Sequence, residues 1–127
     1  MAKEGAKKKI VLADDEKFIG RAYSEGLMRA GFEVTTVVDG ADALAKIKAL
    51  VPDMVLLDLI MPGMTGFEVL KAMKSEASLK NVPVIILSNL SQETDKKEAM
   101  GLGASDFIVK SDASLLEVVE KVKSYFK

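Results

Sequence analysis

Carboxylates, a hydroxyl and an ammonium group each follow directly on a short apolar run in this sequence. Asp14, Asp15 and Glu16 come after Ile10-Val11-Leu12-Ala13, and Asp58 after Met54-Val55-Leu56-Leu57. Ser88 follows Val84-Ile85-Ile86-Leu87, and Lys110 follows Phe107-Ile108-Val109. Carboxylates gathered in one cleft repel one another at neutral pH, and a divalent cation offsets them. An all-oxygen site of one or two carboxylates plus water suits Mg2+, with Mn2+ as the alternative. A metal, a lysine and a hydroxyl around one carboxylate form an arrangement for phosphoryl transfer, where positioning and electrostatics supply most of the rate. Asp58 would then be the nucleophile, giving an aspartyl-phosphate.

Composition narrows the chemistry to the same groups. The 127 residues contain no histidine, no cysteine and no tryptophan. Disulfides, thiol redox chemistry, Cys-ligated zinc and cysteine nucleophiles are excluded, as are imidazole ligands and Ser-His catalysis. Eighteen basic against nineteen acidic residues leave a net charge of −1, which argues against a nucleic-acid partner held by bulk electrostatics. No apolar run approaches the ~18 residues of a spanning helix, so no membrane partner is expected. Residues 1–8 are lysine-rich and lack the apolar stretch of a signal peptide, which reads as a solvated tail or, alternatively, a weak basic docking segment. The expectation is a cytoplasmic protein with one domain, residues 9–127, and no output domain.

The elements that must bring these residues together are legible as an alternation. The three unbroken apolar runs suit strands covered on both faces, and the weaker runs Val34–Val38 and Phe107–Val109 suit sheet edges. Between them lie stretches with helical spacing. One carries Ile19, Ala22, Tyr23, Gly26, Leu27 and Ala30; a second carries Leu44, Ile47 and Val51. A third carries Phe67, Leu70 and Met73, and the terminal one Leu115, Val119, Val122 and Phe126. Ser91–Leu102 is the weakest helix, polar and with Gly101 inside it, which reads either as a short solvated helix or as a low-stability element able to shift. Five β-α repeats imply a doubly wound parallel sheet, and central apolar strands with weaker edges give order 2-1-3-4-5, the flavodoxin-like arrangement. In that order strand sequence reverses between strands 1 and 3, where ligands of open α/β sheets bind, so Asp14, Asp15, Asp58, Ser88 and Lys110 converge there.

At these residues, from Lys9 to Lys127, the chain resembles the receiver domain of two-component response regulators. The resemblance rests on Leu12–Glu16, Leu57–Gly66, Leu87-Ser88 and Phe107–Lys110, in order and at strand ends. It implies that Asp58 accepts phosphate from a histidine kinase's phosphohistidine or from a small donor such as acetyl phosphate. It also implies Mg2+ on Asp15, Asp58 and the Ile60 main-chain carbonyl, with Asp14 acting through water. Lys110 would pair with one phosphoryl oxygen, Ser88 would hydrogen-bond another, and Phe107 would be the aromatic switch residue. The output surface would be the face of helix 4, strand 5 and helix 5.

Two positions depart from the family pattern. Ser111 stands where a proline usually follows the lysine, and Asn89 where a very small residue usually follows the switch hydroxyl. The Asn89 amide could hydrogen-bond the phosphoryl group or crowd it. Ile60 and Leu90, at positions that commonly tune hydrolysis, are both apolar and would place an attacking water poorly. Several residues have plainer roles: Asp39 caps a helix, Asp53 lies on the surface, Ser114 and Glu117 form a capping box, and Phe107 can also be core packing. A P-loop is missing after the first strand, and Gly101-Leu102-Gly103 reads as a helix C-terminus rather than a dinucleotide fingerprint. The competing reading is a constitutive interaction module on the same fold that is never phosphorylated.

Overall fold

A strand that is apolar at every position has no face to offer water, and three such strands side by side demand a layer of helices above and below. The computed structural model, which describes residues 7–90 and 92–126, has that architecture. Its elements alternate: β1 (Lys9–Ala13), α1 (Lys17–Arg29), β2 (Glu33–Val37), α2 (Gly40–Leu50), β3 (Met54–Leu57), α3 (Gly66–Lys74), β4 (Val84–Ser88), α4 (Glu93–Gly101), β5 (Asp106–Val109) and α5 (Leu115–Ser124). A single 3-10 turn, Lys110–Asp112, links β5 to α5. All strand pairs are parallel, in the order β2-β1-β3-β4-β5. Among the described residues no helix is long and apolar enough to cross a membrane.

The period of two along each strand divides the core into two layers. Val11, Ala13, Val55, Leu57, Val84 and Ile86 face α2, α3 and α4, where they meet Ala43, Ile47, Val69, Leu70, Met73 and Ala99. Ile10, Leu12, Met54, Leu56, Ile85 and Leu87 face α1 and α5, against Tyr23, Leu27, Val118, Val119 and Val122. Each fully buried Ile, Leu or Val is worth about 1.5–3 kcal/mol of transfer free energy, so the central strands anchor the domain. The edge strands are less covered, and no residue of β5 is fully buried.

Helix boundaries follow local chemistry. Asp39 Oδ1 accepts the Asp42 N–H at 2.8 Å and caps α2. Thr65 with Glu68, and Ser114 with Glu117, form reciprocal capping boxes on α3 and α5. Asp53 does more than lie on the surface: its Oδ2 accepts the Lys9 N–H at 2.7 Å and fixes the start of β1. Helix α4 ends at Gly101, with Gly103 at φ +104°, as a helix C-terminus requires. Ser91, the first residue of the stretch expected to be helical, lies outside the described residues.

Two expectations from the sequence are displaced, and one segment is described only in part. Ala22 is exposed, and the face that α1 turns inward carries Gly20, Tyr23, Ser24 and Leu27, with Gly20 beside Asp14. Val51 is not on a buried stripe: it ends α2 in the left-handed region at φ 42° and is 47% exposed. Of the lysine-rich tail, residues 1–6 lie outside the described structure, while the Lys8 carbonyl accepts the Glu33 N–H at 2.9 Å and so belongs to the β1–β2 edge.

One glycine ties the fold to the strand end that carries Asp58. The Gly66 N–H donates to the Leu59 carbonyl at 3.0 Å, so the start of α3 lies directly on the β3 exit. A Cβ at Gly66 would collide with the Asp58 carbonyl oxygen and come within 2.7 Å of Leu59 Cα, both main-chain atoms that cannot swing away. Gly66→Ala is therefore expected to destabilise the protein by about 2–3 kcal/mol in urea unfolding. An unchanged midpoint and slope would show that the β3–α3 junction has slack that these distances deny.

Candidate functional site

Parallel strands all end at the same edge, so the residues that follow β1, β3, β4 and β5 meet there whatever their separation in sequence. Asp14 and Asp58 sit one step beyond β1 and β3, and the Asp58 N–H donates to the Ala13 carbonyl at 2.9 Å. The Asp14 N–H extends the ladder on the other side, to the Val37 carbonyl at 3.0 Å. Both aspartates are therefore fixed by sheet hydrogen bonds before their side chains do anything.

The two carboxylates are used in the same way. Asp14 Oδ1 accepts the Glu16 N–H at 2.9 Å, and Asp58 Oδ1 accepts the Ile60 N–H at 3.1 Å. These local turns orient each carboxylate and leave its Oδ2 facing the other strand. Lys110 fills the space between: its Nζ lies 2.8 Å from Asp14 Oδ2, 2.9 Å from Asp58 Oδ2 and 2.8 Å from Glu16 Oε1. The bonds to Glu16 and Asp58 are aligned hydrogen bonds. Asp14 Oδ2 is an ion-pair contact only, off the hydrogen-bonding directions, and it remains buried with no hydrogen-bond partner.

Burial makes this cluster energetically exacting. Asp14 is 3% exposed, Asp58 5% and Lys110 8%. Burial raises the Asp14 pKa, and the Lys110 ammonium 2.8 Å away pulls against that rise without cancelling it. For Lys110, burial opposes the charge, but the close carboxylates of Asp14, Glu16 and Asp58 outweigh it and hold the ammonium well above its ordinary pKa. A raised lysine pKa stabilises the folded state at all pH values below the unfolded value, and that contribution fades only as pH rises through the folded one. A raised carboxylate pKa acts the other way: Asp14 detracts from stability at neutral pH and ceases to do so as pH falls through its folded value.

The remaining expected site residues divide into those the structure brings to this cleft and one it does not. A cleft of about 320 Å3 is lined by Asp15, Glu16, Asp58, Ile60, Ser88, Asn89, Leu90 and Lys110. Asp15 is an exposed wall residue, and Ile60 is 56% exposed at the mouth. Ser88 is fully buried at the end of β4; its Oγ accepts the Leu90 N–H at 3.3 Å, which leaves the hydroxyl proton free to donate. Phe107 is outside the cleft, half-buried on β5 against the α2–α4 layer. No peptide bond among the described residues is cis, and the Ser111 N–H donates to Asn89 Oδ1 at 3.1 Å.

Glu16, named with the acids after β1 but given no role by the sequence, is drawn into the cluster by its contact with Lys110. Among the described residues, the acidic group able to bring one oxygen each within 4.8 Å of one another is Asp14, Glu16 and Asp58, rather than Asp14, Asp15 and Asp58. Its signal was present as the third acid of Asp14-Asp15-Glu16, but only the side-chain course toward Lys110 distinguishes it from a helix-start carboxylate. The donor set is all oxygen, and Asp14 Oδ2, ion-paired with Lys110 but without an aligned hydrogen bond among the described residues, is an acceptor that a hard cation or its water would engage, so the site fits a divalent metal.

Comparison with known proteins agrees with this geometry. The family model for the response regulator receiver domain matches residues 10–122. The sensory transduction protein RegX3 of Mycobacterium tuberculosis is 34% identical over 118 residues, 93% of this chain and 50% of that protein. The chain thus spans about half the length of that curated relative, and 22% of the response regulator PleD of Caulobacter vibrioides. Among solved structures, the chemotaxis protein CheY4 of Vibrio cholerae superposes with a TM-score of 0.86 at 32% identity, covering 94% of this chain and 98% of that one. The phosphorylated cyanobacterial phytochrome response regulator RcpA superposes with a TM-score of 0.81 at 37% identity, covering 94% and 91%.

Removing the central cation should expose the cost of the buried acids. Lys110→Met leaves two buried carboxylates without a counter-charge and is expected to lose about 3 kcal/mol in urea unfolding with chelator present. Adding Mg2+ should recover part of that loss. Equal stability of variant and wild type in chelator would mean that Asp14 and Asp58 are not ionised together.

Proposed function

The chain belongs to the response regulator receiver domain family, and from that premise we propose that it is a stand-alone, phosphorylation-controlled switch whose acceptor is Asp58. The observation that carries the reading is the Lys110 ammonium 2.9 Å from Asp58 Oδ2, with the free Ser88 hydroxyl on the same cleft. The stand-alone part of the proposal draws on CheY4, a chemotaxis protein that this chain matches over 98% of its length.

Asp58 Oδ2 attacks the phosphorus of a donor, and the bond from phosphorus to the donor atom breaks as the new P–O bond forms. Lys110 then turns from Asp58 Oδ2 to a phosphoryl oxygen, and Ser88 donates its hydroxyl proton as a hydrogen bond to another. Asp58 Oδ1 stays held by the Ile60 N–H, so the carboxylate is already oriented when the donor arrives. The donor would be the phosphohistidine of a sensor kinase or phosphotransfer protein, or a small compound such as acetyl phosphate.

Mg2+, or Mn2+ in its place, would be held by Asp15, Asp58 and the Ile60 carbonyl, with Asp14 acting through water. Bound there, the ion would neutralise charge on the phosphoryl oxygens. The output would be read on the face of α4, β5 and α5. There Phe107 is half-buried and α4 buries only Ala99, so both can move at small cost in core packing. The proposed setting is the cytoplasm, with a protein target and neither nucleic acid nor membrane.

Incubation with acetyl phosphate and Mg2+ should add one phosphoryl group by mass spectrometry, and Asp58→Asn or chelation should abolish it. Absence of the adduct, together with no response to beryllofluoride, would instead support a constitutive interaction module. A second measurement addresses lifetime. Ile60 and Leu90 present apolar side chains at the cleft, where a water would have to be oriented for hydrolysis. Replacing both with polar residues should accelerate decay of the phosphorylated protein several-fold, and an unchanged decay rate would remove them from that role.

A further inference from the structure

The two phosphoryl-binding groups of the proposed site come from different strand ends, and the residues immediately after them are joined. Ser88 ends β4 and is followed by Asn89; Lys110 follows β5 and precedes Ser111. The Ser111 main-chain N–H donates to Asn89 Oδ1 at 3.1 Å, a contact between residues 22 apart in sequence. It lies beyond the last paired rung of the two strands, Ser88 with Val109, where the ladder no longer holds the backbones together. On the other side of Asn89, the Leu90 N–H donates back to Ser88 Oγ at 3.3 Å and fixes the same turn. Asn89 and Lys110 both line the Asp58 cleft and both line a neighbouring apolar groove with Phe18, Tyr23 and Leu115, so they form the wall between the two.

We propose that Asn89 is a positioning residue: through its hydrogen bond to the Ser111 N–H it stitches the β4 exit to the β5 exit and sets the span between Ser88 Oγ and Lys110 Nζ across Asp58. The inference rests on the receiver reading above and deepens it. A proline at 111 would have no N–H to donate, so the two sequence departures at 89 and 111 are one device. Preorganised donors on two separate loops act on a phosphoryl group only if their separation is held, and an extra rung beyond the ladder holds it. The donor is main chain, so the identity of the Ser111 side chain is immaterial to the stitch.

The test compares wild type, Asn89→Ala, Ser111→Ala and Ser111→Pro with and without Asn89→Ala, using beryllofluoride with Mg2+ as the probe. Asn89→Ala should weaken beryllofluoride binding about threefold to tenfold, the loss expected for one hydrogen bond, while Mg2+ affinity and melting temperature stay unchanged. Ser111→Ala, which keeps the N–H, should bind as wild type does. In the Ser111→Pro background, Asn89→Ala should have no further effect; a further loss there would mean that the Asn89 amide touches the anion directly and would overturn the stitch. Hydrogen exchange of the Ser111 amide, read without any anion, should accelerate in Asn89→Ala. Unchanged exchange, or affinity equal to or tighter than wild type, overturns the proposal. Failure of wild type itself to bind beryllofluoride, with Ser111 protection intact, would count against the receiver reading rather than against the hydrogen bond.

Discussion

One ammonium group holds the end of this sheet together. Lys110 lies within 2.9 Å of oxygens from Asp14, Glu16 and Asp58, residues contributed by the exits of β1 and β3 and by the start of α1. Without it, two aspartates each about 95% buried or more would face one another across a low-dielectric cleft. With it, their charges are balanced locally, but the balance is incomplete. Three carboxylates share one cation, and Asp14 Oδ2, though ion-paired with Lys110, has no aligned hydrogen bond among the described residues. The cluster is thus stable enough to fold and still deficient in positive charge, which is the condition under which a divalent ion is taken up.

The sheet exists, in this sense, to deliver side chains to that cation. Parallel topology brings every strand exit to one edge, and the apolar runs of β1, β3 and β4 make those exits rigid by burying both faces. Gly66 brings α3 onto the Asp58 carbonyl, and the Pro62-Gly63 turn, with Gly63 at φ +76°, lets the chain double back before it. The same edge leaves its outer members loose, since β5 is half-buried throughout. Rigidity around Asp58 and compliance at β5 come from one gradient of burial across the sheet.

Much of this was legible in the sequence because burial on two faces has an unmistakable signature. Runs such as Val84–Leu87 leave no polar face, so strand order and the site of convergence followed from the alternation together with the placing of the weaker runs at the edges. What stayed hidden depended on the direction of single side chains. Glu16 looks like any acid at a helix start until its carboxylate is seen on Lys110. Ala22 and Val51 fell on apolar stripes by spacing, but the buried face of α1 is centred on Gly20, Tyr23, Ser24 and Leu27, and α2 unwinds at Val51 itself. Periodicity locates a face to within a residue or so and does not register what packs against it.

Of the residues of helix α4, only Ala99 is fully buried. The remainder of its nine residues, from Glu93 to Gly101, contributes almost nothing to either core layer. Sequence change there is therefore nearly free of consequence for folding, while it rewrites the charge and shape that another molecule would meet. Surface character and stability are decoupled in this segment, so its exposed side chains could be exchanged at little cost to either core layer.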